Sequence, residues 1–135
     1  TGLRHLVVPI RSLDALMAVK RQIKLLRELC TSNGVREAQL FCFETFDKSC
    51  QIHTRNICPR EGLEDPACGV GYGALAAYLS RFYRYADNDC SLRIEQGNIV
   101  DMPSVVQTRI VRLKDELKVF VGGSGIVMME GNFLV

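Results

Sequence analysis

Tryptophan is absent from this 135-residue chain, proline occurs only 4 times, and no block of like charge stands out. Seventeen basic and fifteen acidic side chains are interspersed, for a formal charge of +2. A nucleic-acid surface needs a basic stripe with stacking aromatics, and neither is visible, so no nucleic-acid partner is expected. No apolar run approaches the ~18 residues of a membrane span, and no leader pattern precedes the first strand. The six cysteines, at 30, 42, 50, 58, 68 and 90, include no C-x-x-C pair. A chain with long apolar segments does not need disulfide staples, so a reducing, cytoplasmic setting is expected. Lys114-Asp115-Glu116-Leu117 spells a retention tetrapeptide, but that signal is read only at a C-terminus.

What is present fits one globular domain over residues 1–135: 47% apolar and 24% charged residues, long enough to bury a core. Residues 5–10 read as a buried strand. Ser12 then caps a helix from Leu13 to Leu29, with Leu16, Val19, Ile23, Leu26 and Cys30 on one face and Asn33-Gly34 closing it. Glu37 to Thr45 alternates as a strand, Asp47-Lys48-Ser49 turns, and Cys50 to Asn56 returns. Residues 58–66 read as a loop, and Cys68 to Tyr85 as a second helix. Strands follow at Ser91–Gln96, Val105–Leu113, Leu117–Val121 (after a tight connection at Asp115-Glu116) and Ile126–Glu130. The order β-α-β-β-α-β-β-β-β predicts an α+β fold with a mainly antiparallel sheet.

The most informative segment is Pro66–Ser80, which holds no charged residue. A helix that is apolar all round is surrounded by protein. Its small residues, Gly71, Gly73, Ala74, Ala76 and Ala77, let a curved sheet wrap closely around it. Unpaired N–H groups at the start of such a helix attract anions, and glycines at 69 and 71 leave room for a ligand. The same end lowers the expected pKa of a thiol, so Cys68 is expected to be partly thiolate. Three readings compete: a capped structural helix with Asp65 as the cap, a dinucleotide loop on Gly69-x-Gly71-x-x-Ala74, or an acid–base site holding a carboxylate. The stretch before the glycines is acidic and prolyl rather than an apolar strand, which argues against the dinucleotide loop. A phosphate loop is excluded because no Gly-Lys-Ser/Thr follows.

Glu64-Asp65-Pro66-Ala67-Cys68-Gly69-Val70-Gly71, then Gly73-Ala74-Leu75-Ala76-Ala77-Tyr78-Leu79, resembles the E-D-P-A-T-G-S-A…G-x-L-A-A-Y-L signature of the phenazine-biosynthesis (PhzF-like) isomerases. His53-Thr54-Arg55-Asn56-Ile57-Cys58-Pro59 is similar to that family's H-x-R-x-F-A-P strand and turn. Thr1-Gly2 with His5 to Pro9 is similar to the strand opening its second domain. Glu95-Gln96-Gly97 with Met102-Pro103-Ser104 resembles its E-Q-G…R-P-S segment, and Gly122-Gly123 with Gly131 its closing hairpin. The resemblance runs along the whole chain in order. It implies one half of a diaminopimelate-epimerase-like fold, here the C-terminal one, with the catalytic glutamate and its histidine partner carried by the other half. It implies cofactor-free proton transfer on a small carboxylate at a site between two halves.

Residue by residue, the resemblance implies that Asp65 and Cys68 are catalytic and that Gly69, Val70, Gly71, His53 and Arg55 bind substrate. Two departures stand out at the site. Val70 occupies the place of a serine, and Cys68 that of a threonine; Ala67-Cys68-Gly69 is instead similar to the diaminopimelate epimerases, in which this cysteine is an acid/base. Met102 replaces an arginine. No cofactor and no metal are expected: Cys50, His53 and Cys58 lack a fourth ligand, and residues 50 and 53 point to opposite faces of a strand. His53 and Arg55 share a face and also fit solvated strand positions or pairing with Glu44, and His5 reads as structural. An isolated half exposes the face that meets its partner, so a homodimer or an N-terminal partner domain is expected. The alternative is a non-catalytic small-molecule-binding or dimerisation module of the same fold.

Overall fold

The computed structural model describes residues 2–83, 89–114 and 116–132. Strands β1 (His5–Pro9), β2 (Glu37–Cys42), β3 (Ile52–Cys58), β4 (Leu63–Asp65), β5 (Cys90–Gln96), β6 (Ser104–Leu113) and β7 (Glu116–Gly122) form one sheet, ordered β1-β2-β3-β5-β6-β7 with β4 beside β3. The β1–β2 and β3–β5 pairs are parallel and the other pairs antiparallel. Helices α1 (Leu13–Ala18) and α2 (Ile23–Ser32) cover one face, and α3 (Gly69–Phe82) the other.

Helix α3 touches β1 and β2 near one end of the sheet and β6 and β7 at the other, so the sheet curls around it as an open half-barrel. Strand alternation divides the core in two. Phe41, Ile52, Leu92, Ile94 and Ile110 meet Tyr72, Leu75, Ala76 and Leu79 of α3. Ala38, Leu40, Cys42 and Ile57 face the other way, against Leu16 and the α1–α2 layer. A fully buried Phe or Leu contributes about 1.5–3 kcal/mol, so α3 is held chiefly by its apolar contacts. The α+β, mainly antiparallel reading therefore holds, with the sheet wrapped around the helix.

Several boundaries differ from the sequence reading. The single helix over 13–29 is two, because the chain turns extended at Val19. Arg55 reaches across from β3 and its Nη1 donates to the carbonyls of Leu16 (2.7 Å) and Val19 (2.9 Å), satisfying the end of α1 from outside. The second strand stops at Cys42, and its return runs from Ile52 to Cys58. The loop at 58–66 contains β4, which pairs with β3. The helical pattern ends at Phe82; Tyr85 and the Asp115 part of the tight connection lie outside the described residues.

Residues 126–130 do not form a strand. Ile126, Val127, Met128 and Met129 are 74–89% exposed, beyond the last paired strand. Their apolar run matches a strand in composition, but an edge position gives it no partner among the described residues. The six cysteines are free thiols, and no helix among the described residues is long and apolar enough to cross a membrane.

Candidate functional site

Strand β4 delivers Asp65 to the corner where α3 begins. Asp65 Oδ1 accepts from the amide of Ala67 at 2.8 Å, which tightens the Pro66–Ala67 turn. Gln96 donates to the Asp65 carbonyl, and Ser104 donates to the Pro66 carbonyl at 2.7 Å, so β5 and β6 pin the corner from below. Gly97 allows this: it adopts φ 90°, and a Cβ there would meet the backbone carbonyl of Met102.

Cys68, not Asp65, is the N-cap of α3; its Sγ accepts from the Gly71 amide at 3.3 Å. Beneath the first turn, Asn56 donates to Gln39 (2.8 Å), Gln39 to Gln96 (3.2 Å) and Thr54 to Gln96 (2.8 Å). A Cβ on Gly71 would collide with the Gln39 side-chain oxygen, so this glycine is a packing requirement. Gly69 has open space around its missing side chain, and Val70 is 40% exposed. Among the described residues no hydrogen-bond partner is seen for the amides of Gly69 and Val70, whereas that of Gly71 is taken by the cysteine.

The thiol itself is not activated. Burial pushes Cys68 up to about 11; the Gly71 amide pulls the other way, and the nearby Glu37 and Asp65 charges add to the rise. The expectation of a partly ionised Cys68 is therefore reversed, because a buried thiol beside two carboxylates loses more from desolvation and repulsion than the helix end returns.

Asp65, Cys68, Gly69, Val70 and Gly71 thus come together. His53 and Arg55 do not join them: both project to the opposite face of the sheet from Asn56 and α3. Arg55 is 2% exposed and grips Glu64 through Nε (2.7 Å) and Nη2 (2.9 Å). His53 is fully buried, with Nδ1 2.7 Å from Glu95 and its ring edge-on to Phe46. Neither is solvated, and neither pairs with Glu44, whose carboxylate accepts from the Leu13 amide.

Two side chains not anticipated at this corner are His5 and Glu37. The parallel register sets His5 opposite Glu37. His5 Nε2 lies 3.1 Å from Glu37 Oε2, and the Cys68 thiol donates to the same oxygen at 3.7 Å. No local motif signals this: the residues are far apart in sequence, and only the pairing of β1 with β2 joins them. The Cys50, His53 and Cys58 set does not converge; Cys58 donates to Asn56 and His53 faces Glu95.

The class this fold and site define is an open, curled sheet wrapped on one helix, with the helix end exposed at its rim. The phenazine biosynthesis-like protein family (PhzC-PhzF) matches residues 1–131, and the chain belongs to it. An uncharacterized isomerase of Bacillus subtilis, YfhB, is 27% identical over 128 residues, covering 93% of this chain and 43% of that protein. The crystal structure of a PhzF-family phenazine biosynthesis protein from Bacillus anthracis superimposes with a TM-score of 0.78 at 21% identity, over 87% of this chain and 41% of that one. A structure described as a predicted epimerase from Pseudomonas aeruginosa gives 0.61 at 28% identity, over 90% and 39%. The chain spans less than half the length of these relatives.

Proposed function

We propose that this chain is the C-terminal half of a PhzF-like isomerase, a single domain over residues 1–135 that moves a proton on a small carboxylate without a cofactor. The observation that carries this is the start of α3, where Gly69 and Val70 are exposed beside Asp65 and Cys68 and no hydrogen-bond partner is seen for their amides among the described residues. Those two N–H groups hold the substrate carboxylate, and the helix end offsets its charge. Asp65, with Oδ1 committed to the Ala67 amide, orients the substrate with its remaining oxygen.

A base supplied from outside this half takes the proton from the substrate carbon. Cys68, a protonated thiol near neutral pH, gives its proton to the resulting carbanion and is then reprotonated from solvent. Either an N-terminal partner domain or a second copy of this chain supplies that base. The exposed run Ile126–Met129 supports an assembly that covers it. His53 and Arg55 act on this reading by holding the sheet under the site rather than by touching substrate.

The test is solvent deuterium incorporation into a panel of small α-amino and unsaturated carboxylates, followed by NMR in heavy water with sedimentation equilibrium on the same sample. Exchange that is lost in Cys68→Ser and Asp65→Asn supports the proposal; no exchange by an assembled sample, with or without a co-expressed family N-terminal half, overturns it. A second reading, a non-catalytic binding or dimerisation module, is favoured by Val70 at the substrate edge and by the high pKa of Cys68. Binding of a carboxylate without exchange would select it.

A further inference from the structure

His5, Glu37 and Cys68 come from three separate elements, and their ligand atoms all lie within 4.8 Å of one another. From this geometry we infer that the three side chains form a binding site for a zinc-type divalent cation. The inference does not rest on the isomerase reading and is tested apart from it.

The donor set points to the cation. One imidazole nitrogen, one carboxylate oxygen and one sulfur suit Zn²⁺ and its analogue Co²⁺, whereas Mg²⁺ and Ca²⁺ take oxygen alone. Bonds of about 2.0–2.3 Å in a tetrahedron set neighbouring ligand atoms about 3.3–3.8 Å apart. The Cys68–Glu37 spacing of 3.7 Å falls in that range, and the His5–Glu37 spacing of 3.1 Å lies just under it and would open slightly around an ion. Three protein ligands leave a fourth position for water or a substrate group.

The outer contacts orient each ligand. His5 Nδ1 lies 3.2 Å from the Leu3 carbonyl and Nε2 3.1 Å from Glu37 Oε2, both acceptors, so a cation would take the place of the hydrogen between Nε2 and the carboxylate while Nδ1–H keeps its carbonyl. Arg36 Nε stands 3.8 Å from Glu37 Oε1, leaving Oε2 for the site. The Gly71 amide donates to Cys68 Sγ, a contact the sulfur would keep as a metal-bound thiolate. The His5 side chain is fully buried and that of Glu37 is 12% exposed, so solvent competes little.

On binding, the Cys68 S–H bond breaks and the hydrogen shared by His5 Nε2 and Glu37 Oε2 leaves; both protons go to solvent, and bonds to the metal form from the sulfur, Nε2 and Oε2. Glu37 and the thiolate then balance the two charges of the ion. A Cys68 held in this way has no proton to donate, so occupancy of the site would silence it as an acid.

The experiment is titration of the chelator-stripped protein with Co²⁺, read as thiolate-to-cobalt absorption, and with Zn²⁺ against a chromophoric chelator. One ion per chain is expected. Cys68→Ser should abolish the absorption, and His5→Gln and Glu37→Gln should each weaken binding by at least about tenfold. Cys50→Ser and Cys90→Ser should leave both readouts unchanged. For the unmutated protein, Zn²⁺ should protect Cys68 from alkylation, read peptide by peptide, so the inference is testable even if a variant fails to fold. Absence of the absorption, its survival in Cys68→Ser, or no protection of Cys68 overturns the site.

Discussion

Arg55 and Glu64 face each other across β3 and β4, with guanidinium Nε and Nη2 on the two carboxylate oxygens at 2.7 and 2.9 Å, both residues nearly sealed from solvent. The remaining terminal nitrogen of Arg55 holds the end of α1. Removing Arg55 leaves the buried Glu64 carboxylate only the longer, 3.7 Å contact to the exposed Arg21, at a cost approaching the ~3–5 kcal/mol of a broken buried pair. Arg55→Ala is expected to lose stability by that amount in urea denaturation. Arg55→Lys keeps the charge but not the two-pronged contact or the hold on α1, and should fall between.

Gly71 and Gly69 should respond in opposite senses to the same substitution. Gly71→Ala drives a methyl into Gln39 and Asn56 and is expected to cost about 1–3 kcal/mol. Gly69→Ala meets nothing within 4 Å and restricts the unfolded chain, so it should be neutral or stabilise by up to about 1 kcal/mol. Paired thermal melts check this. If the Gly69 amide holds the substrate, the same Gly69→Ala variant should bind carboxylates more weakly while melting no lower.

Cys68 reactivity reports on Glu37. In the unmutated, metal-free protein the thiol should alkylate slowly at neutral pH and accelerate only towards about 11. Glu37→Gln removes a neighbouring negative charge and exchanges the carboxylate that accepts from the S–H for a weaker, neutral amide acceptor; both the charge and the carboxylate contact hold the proton on sulfur. Its Cys68 should therefore titrate lower and alkylate faster at fixed pH, as read by mass spectrometry of the Cys68 peptide.

Alkaline pH should unfold the protein through its thiols. All six are raised above 9.0, Cys58 to about 12 and Cys68 to about 11. Above pH 9 the unfolded chain releases these protons while the folded one retains them, so the unfolded state gains as pH rises. Stability is expected to be unaffected by these groups below about pH 8 and to decline from pH 9 towards 11 and beyond. Urea midpoints across that range measure it, and the Cys58→Ala, Cys68→Ala double variant should show a shallower decline.

The apolar tail makes a separate prediction. Met128→Lys with Met129→Lys should leave the melting temperature within about 2–4 °C, since neither side chain packs within this chain. If the tail lies in a contact between copies, the same pair of changes lowers the mass seen in sedimentation.

Much of this architecture was legible because two periodicities carry it. Alternation along Glu37–Cys42 sorts Phe41 from Leu40 and Cys42 onto opposite layers, and the uncharged run from Pro66 to Ser80 marks the enclosed helix. The break between α1 and α2 was not legible, because its cause, the Arg55 guanidinium, arrives from a strand some forty residues away. The strand assigned to Ile126–Glu130 had suitable composition, but pairing depends on what lies alongside. Within the site, the Asp65–Gly71 corner was readable as a motif. The side chains of His5 and Glu37 were not, because only the β1–β2 register brings them to Cys68.

Strands β1 and β7 do not pair with each other, so the half-barrel stays open along one side. A hollow there is lined by Gly69, Val70, Gly73 and Ala77 of α3 and by Val119 and Val121 of β7. Whatever molecule or chain fills that hollow rests on Gly69 and Val70, the residues whose amides form the open helix end. Occupants of the two therefore touch the same two residues, and whatever factor one changes in the other's affinity is returned in equal measure.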